Sequence, residues 1–158
     1  MLRRKENPKF IATFELGRLV RWLRVLGFDT LYFLKGRKRD LVITSLREGR
    51  VILTREGSLS RYSGTRMIRI KDDLVENQLG QVLKAMRLKV NSDNIFTRCT
   101  ICNSLINGIK KEDVARRVPP YVYKTQTNFR ICPRCNKIYW KGTHLKLANE
   151  FLKERAKA

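Results

Sequence analysis

Lys9–Leu34 reads KFIATFELGRLVRWLRVLGFDTLYFL, and the fold is decided in this stretch. Lys9 to Ala12 (KFIA) is a short apolar run of strand type, cut off at Thr13. From Leu16 the apolar residues Leu16, Leu19, Val20, Leu23 and Leu26 recur at helical spacing, and Gly27 closes the run as a C-terminal cap does. Thr30 to Leu34 (TLYFL) reads as a second strand.

The alternation continues downstream. Gly36-Arg37-Lys38-Arg39 reads as a basic loop, after which Asp40 caps a helix running to about Glu48 and ended by Gly49. Val51–Thr54 and Met67–Ile70 are apolar strands, and Lys71-Asp72-Asp73 leads into a helix carrying Leu74, Leu79, Val82, Leu83 and Met86. Strands alternating with helices predict an α/β domain with a parallel sheet covered by helices. Such sheets carry their working residues at the carboxyl ends of the strands. Here those are Thr13, Glu56, Asp72 and Asp73. The polar segment Val90–Asn94 makes a linker, so residues 1–92 and 93–158 are expected to form two domains.

The charge balance names a class of partner. Of 158 residues, 35 are Lys or Arg and 14 are Asp or Glu, a formal net charge of +21. Solubility asks a small domain for a net charge of only about 2–8, so a polyanion is the expected counterpart. The excess is spread along the chain: residues 1–97 hold 21 basic and 10 acidic side chains, and residues 98–158 hold 14 and 4. Thermophilic proteins carry charge as mixed-sign networks instead. A membrane surface is a poorer match, because no Lys-rich helix with a broad apolar face stands alone at either end. No apolar run approaches the ~18 residues of a membrane span, and Met1-Leu2-Arg3-Arg4-Lys5 is not followed by a signal-type core. An intracellular, cytoplasmic protein is expected.

In a reducing compartment, Cys99-x-x-Cys102 and Cys132-x-x-Cys135 point to metal ahead of disulfides. Two such pairs complete a closed tetrahedron of thiolates with no open position, which is a structural zinc site. Iron–sulfur ligation suits the segment less, since few apolar residues surround the cysteines. The segment is too small for a core of its own, and structural zinc is worth on the order of 10–16 kcal/mol in comparable peptides. His144 follows closely, but four thiolates leave it no ligand position. Tyr139-Trp140-Lys141 combines aromatic faces with a cation, suited to stacking on unpaired bases; Trp140 serves equally well as a core residue of the ribbon.

Five segments carry a family resemblance over nearly the whole chain: Leu16–Thr30 (LGRLVRWLRVLGFDT), Glu48–Glu56 (EGRVILTRE), Arg98–Asn103 (RCTICN), Arg117–Tyr123 (RVPPYVY) and Cys132–His144 (CPRCNKIYWKGTH). The chain resembles the Mut-seven-C RNase domain family, which implies a PIN-like nuclease fold followed by a zinc ribbon. PIN-like nucleases hold Mg²⁺ or Mn²⁺ on carboxylates at the sheet's carboxyl edge, where the ions activate water and stabilise the leaving oxygen. The family's first strand ends in Asp, and its third is followed by LTRD. Here Thr13 occupies the first position and Glu56 the second, and Asp40 is the one carboxylate in GRKRD. Asp72 and Asp73 lie where the family is also acidic, although helix capping explains them too. Glu15, two residues past Thr13, could in principle reach inward, but it falls on the first turn of a helix and is expected to be exposed.

An eroded acidic cluster (Thr13, Asp40, Glu56, Asp72, Asp73) among Arg37, Lys38, Arg39 and Arg55 reads as a nuclease fold kept as an RNA-binding scaffold. Its partner would be ribosomal RNA or a ribonucleoprotein. Arg18, Arg21 and Arg24, spaced by three, are expected to line one helix face against RNA, extended by the N-terminal arm and a C-terminal helix. The alternative is a metal-dependent endoribonuclease with an altered acidic site. A third class is an assembly partner that binds another protein through the ribbon.

Overall fold

The computed structural model describes residues 7–142 and Glu150; the N-terminal arm, His144 and the C-terminal helix expected from the sequence lie outside them. Among the described residues two compact units emerge, one of residues 7–23 and 28–89, the other of residues 24–27 and 90–142.

The first unit is a parallel sheet of four strands, β1 (Lys9–Thr13), β2 (Thr30–Phe33), β3 (Arg50–Thr54) and β4 (Met67–Arg69), in the order β2-β1-β3-β4. The helices are α1 (Gly17–Val25), α2 (Lys38–Glu48) and α3 (Val75–Ala85). The α/β expectation with a parallel sheet and flanking helices holds. Alternation along the strands places Ile11 and Ile52 on the face that packs with Leu41 and Val42 of α2, together with Leu59. Phe10, Ala12, Val51 and Leu53 point the other way and are equally buried. Both faces are therefore dry, as a parallel sheet requires.

Element ends follow local chemistry, with differences in detail. Gly49 adopts φ 64 and caps α2 through its N–H to the Ser45 carbonyl, a left-handed geometry that glycine takes at least cost. Asp40 is not the cap of α2. Arg37 caps it, and Asp40 sits one turn in, accepting the Arg37 amide at 3.2 Å. Lys38 and Arg39 are thus helical rather than loop residues. Beyond β1 the chain makes a 3₁₀ turn over Phe14–Leu16 before α1 begins. Another, Gly57–Arg61, follows β3 and buries Leu59.

In the second unit, β5 (Asn107–Ile109), β6 (Phe129–Ile131) and β7 (Ile138–Trp140) form an antiparallel sheet, with the short helix α4 (Pro120–Thr125) inserted before β6. Val114, Val118 and Phe129 form one small core, against which Ile109, Tyr123 and Trp140 pack. Cys99, Cys132, Ile106 and Tyr139 form the other.

Candidate functional site

Strand order β2-β1-β3 reverses the direction of winding between β1 and β3, and parallel sheets open their ligand crevice at that point, beyond the carboxyl ends. Thr13 ends β1 and Thr54 ends β3. The Thr54 hydroxyl accepts the Glu56 amide at 3.0 Å, turning the chain outward. Glu15, two residues past Thr13, turns back onto this edge. Its Oε1 accepts the Thr13 hydroxyl at 2.6 Å and the Arg55 amide at 3.1 Å. It is half-buried, not on an exposed helical turn, because the 3₁₀ turn after β1 returns its side chain to the sheet.

Three other carboxylates of this edge each meet a cation. Glu56 Oε2 lies 2.6 Å from Lys38 Nζ, and that contact holds its carboxyl below the ordinary glutamate value, helped by the Ser58 hydroxyl. Asp40 pairs with Arg37 at 3.3 Å, and the Arg37 amide and guanidinium lower its carboxyl. Asp73 pairs with Arg55. Asp72 lies two residues before Leu74, the N-cap of α3, and accepts the Leu74 amide at 2.9 Å and the Asn77 side chain at 3.1 Å, which lowers its carboxyl. Thr13, Asp40, Glu56, Asp72 and Asp73 are therefore distributed over separate pairs. Among the described residues, no three carboxylates bring their oxygens together as a metal-holding group.

The cysteines do converge. The sulfurs of Cys99, Cys102, Cys132 and Cys135 all lie within 4.8 Å of one another. Two turns of the same design present them. In each, the first cysteine's carbonyl accepts the amide of an asparagine four residues on, Asn103 and Asn136, at 3.0 Å. Both asparagines take positive φ, 68 and 58, which Asn tolerates better than most residues. In each turn the second cysteine's amide points at the first sulfur, at 3.5 Å for Cys102 and 3.4 Å for Cys135. The Tyr139 hydroxyl lies 3.0 Å from the Cys99 sulfur and accepts the Thr100 amide at 3.1 Å.

Four thiols this close cannot all ionise without a compensating cation. Against desolvation, Ser104 and the neighbouring thiols bring Cys102 down to about 6. Despite the Lys137 amide, burial and the other three sulfurs push Cys135 up to about 12. A divalent ion removes that conflict, since each sulfur becomes a thiolate ligand. The donor set fits a metal with affinity for thiolate.

The Mut7-C RNAse domain matches residues 8–152. The chain belongs to this family. No curated protein and no solved structure matches it significantly. Membership ties the chain to RNA, and the cysteine cluster is a site that could hold a metal ion.

Within this Mut7-C RNAse domain the basic residues divide. Arg18, Arg21, Arg37, Lys38, Arg39 and Lys141 are exposed, and Arg55 is half-buried. Arg24 is buried, and the expectation that it faces RNA beside Arg18 and Arg21 is overturned. Steps of three residues drift round a helix, leaving Arg24 about 120° from Arg18. Its guanidinium instead donates to the carbonyls of Thr100 at 3.0 Å and Ile101 at 2.8 Å, inside the first cysteine turn. Tyr139 is likewise buried, 8% exposed, and Trp140 is half-buried against the ribbon's core. The ribbon packs both rings, which leaves Lys141 as the exposed member of that trio.

Sequence reasoning missed three residues. Glu15 follows the strand end by two residues, and the 3₁₀ turn there brings it inward. Asn103 and Asn136 complete a repeated Cys-x-x-Cys-Asn pattern that was legible in the chain.

Proposed function

We propose that this protein is an RNA-binding scaffold built on a degenerate PIN-like nuclease fold, with zinc at the four cysteines as a structural ion. The observation that carries the reading is the pairing at the carboxyl edge. Asp40, Glu56 and Asp73 each have a cation of the same chain within 3.3 Å, and a divalent ion there would have to displace or face those cations. A net charge of +21 suits neutralisation of many phosphates, as on folded RNA. Ribosomal RNA or a ribonucleoprotein in the cytoplasm is the target we favour. Zinc matches the four-thiolate donor set and the closed geometry.

Glu15 favours a second reading, a metal-dependent endoribonuclease with an altered site using Mg²⁺ or Mn²⁺. It returns a carboxylate to the end of β1, where Thr13 offers a neutral hydroxyl, and among the described residues it forms no ion pair. One experiment separates the two. Purified protein is titrated into labelled folded RNA across a salt series, then incubated with the same RNA and Mn²⁺. Salt-sensitive binding with intact RNA supports the scaffold. Cleavage that Glu56→Gln or Glu15→Gln abolishes replaces it with the nuclease.

A further inference from the structure

One hollow of the first unit has a composition that the phosphate-binding reading does not use. Arg18, Arg21 and Trp22 of α1 line it on one side, and Asp73, Leu74, Val75 and Glu76 line it where α3 begins. Its volume is about 410 Å³, within the ~300–1,000 Å³ of small-ligand sites. Arg18, Arg21 and Trp22 stand at i, i+3 and i+4 and so share one helix face. Leu74 is 63% exposed, a large aliphatic side chain at the mouth. Among the described residues, Arg18, Arg21 and Glu76 form no ion pair, whereas Asp73 uses one carboxylate oxygen on Arg55.

Among the described residues, the lining therefore combines an aromatic and aliphatic wall with two guanidinium groups and two carboxylates. A bare phosphate or an acidic peptide would be repelled by Asp73 and Glu76. A nucleotide satisfies every element. Its base stacks on the indole, its phosphates meet the arginines, and amino hydrogens on its base edge meet the carboxylates. Uracil has no exocyclic amino group, so this lining disfavours it. We infer that the hollow binds an unpaired RNA nucleotide whose base carries an exocyclic amino group, stacked on Trp22. The inference rests on the RNA-binding reading and adds to it a site that reads single-stranded bases.

The test uses the full zinc-loaded chain and short labelled single strands of C, A and U, read by fluorescence anisotropy over a salt series. Strands of C or A are expected to bind more tightly than U. Trp22→Ala is expected to weaken C and A binding about 5- to 150-fold, the worth of one stacked base, while Trp22→Phe restores most of it. The salt slope should stay the same in both, because no phosphate contact is lost. In a Trp140→Phe background, indole emission should be quenched on binding. Leu74→Ser guards against misfolding of the Trp22 variant, since that side chain is already exposed, and it should weaken binding several-fold. Unchanged affinity in Trp22→Ala and Leu74→Ser, with wild-type binding intact, overturns the pocket, hands the hollow to a protein segment and leaves the scaffold reading standing. Equal affinity for U overturns the amino-group preference. Wild-type protein with no salt-sensitive RNA binding overturns both readings together.

Discussion

Lys38 Nζ lies 2.6 Å from Glu56 Oε2 and 3.0 Å from the Ser58 hydroxyl, so a side chain from the first turn of α2 holds the carboxylate that follows β3. The pairing accounts for the direction of Glu56 titration. Its carboxyl stays ionised below the ordinary value of 4.5. The stabilisation is present above that value and is lost as pH falls through the lowered folded pKa. In Lys38→Ala, carboxyl-detected NMR titration should show the Glu56 pKa rising toward 4.5. The pair is exposed and screened, so the thermal midpoint should scarcely move.

The cysteine cluster predicts a stoichiometry. Purified protein should carry one metal ion per chain, and it should be zinc by elemental analysis. Cys132→Ser should abolish loading and remove hydrogen-exchange protection from β5, β6 and β7, because the second unit has two small cores and a metal shared by the four sulfurs would tie its two cysteine turns together. Metal content that survives Cys132→Ser would show that the four sulfurs do not form one site.

Tyr139 is predicted to tune that metal site. Its hydroxyl joins the Cys99 sulfur and the Thr100 amide, and the loss of outer-shell partners costs a ligand set about 10- to 100-fold in affinity. Tyr139→Phe keeps the ring and deletes the bridge. Competition with a chromophoric chelator should show weaker metal binding in that range, with the fold retained.

Much of this arrangement was legible in the chain because it follows from local periodicity. The runs KFIA, TLYFL and VILT are short, apolar and rich in β-branched or aromatic residues, which favours strands, and the apolar spacing from Leu16 to Leu26 specified α1. The paired Cys-x-x-Cys motifs pointed to a site that could hold a metal ion, and the turn geometry of each pair brings its own two sulfurs together. The losses occurred where three-dimensional neighbours decide. Spacing alone put Arg24 on the surface, although helical drift carries it to the buried side. Spacing does not tell the 3₁₀ turn that carries Glu15 from the first turn of a helix, so it points that side chain outward. The pairing of Lys38 with Glu56 spans 18 residues and two elements, and nothing local to either residue reports it.

Arg50 anchors the opposite end of the sheet. Its guanidinium bonds Asp29 at 2.6 Å, Glu48 at 2.7 Å and the Phe10 carbonyl at 3.1 Å, and the side chain is 7% exposed. Burial opposes its charge, but Asp29 and Glu48 together outweigh that and raise its pKa. Arg50→Met removes the cation and leaves two partly buried carboxylates facing one another. Breaking a buried pair costs about 3–5 kcal/mol; with Asp29 and Glu48 partly solvated, roughly 2–4 kcal/mol is expected. Urea unfolding should report that loss without a change in RNA affinity per folded molecule.

The division among the arginines gives the sharpest test of how the surface holds RNA. Each phosphate contact contributes about 0.7–0.9 to the slope of log affinity against log salt. Arg39 is exposed on α2 and Arg18 on α1, so Arg39→Gln or Arg18→Gln should flatten the slope by about that amount if each touches one phosphate. Arg24→Gln should leave the slope alone, because that guanidinium is committed to the Thr100 and Ile101 carbonyls. Its effect should appear as a lower melting temperature, with the first cysteine turn losing two charge-assisted hydrogen bonds worth about 1.5–3 kcal/mol each. A flattened slope in Arg24→Gln, with melting unchanged, would mean that this side chain faces RNA after all.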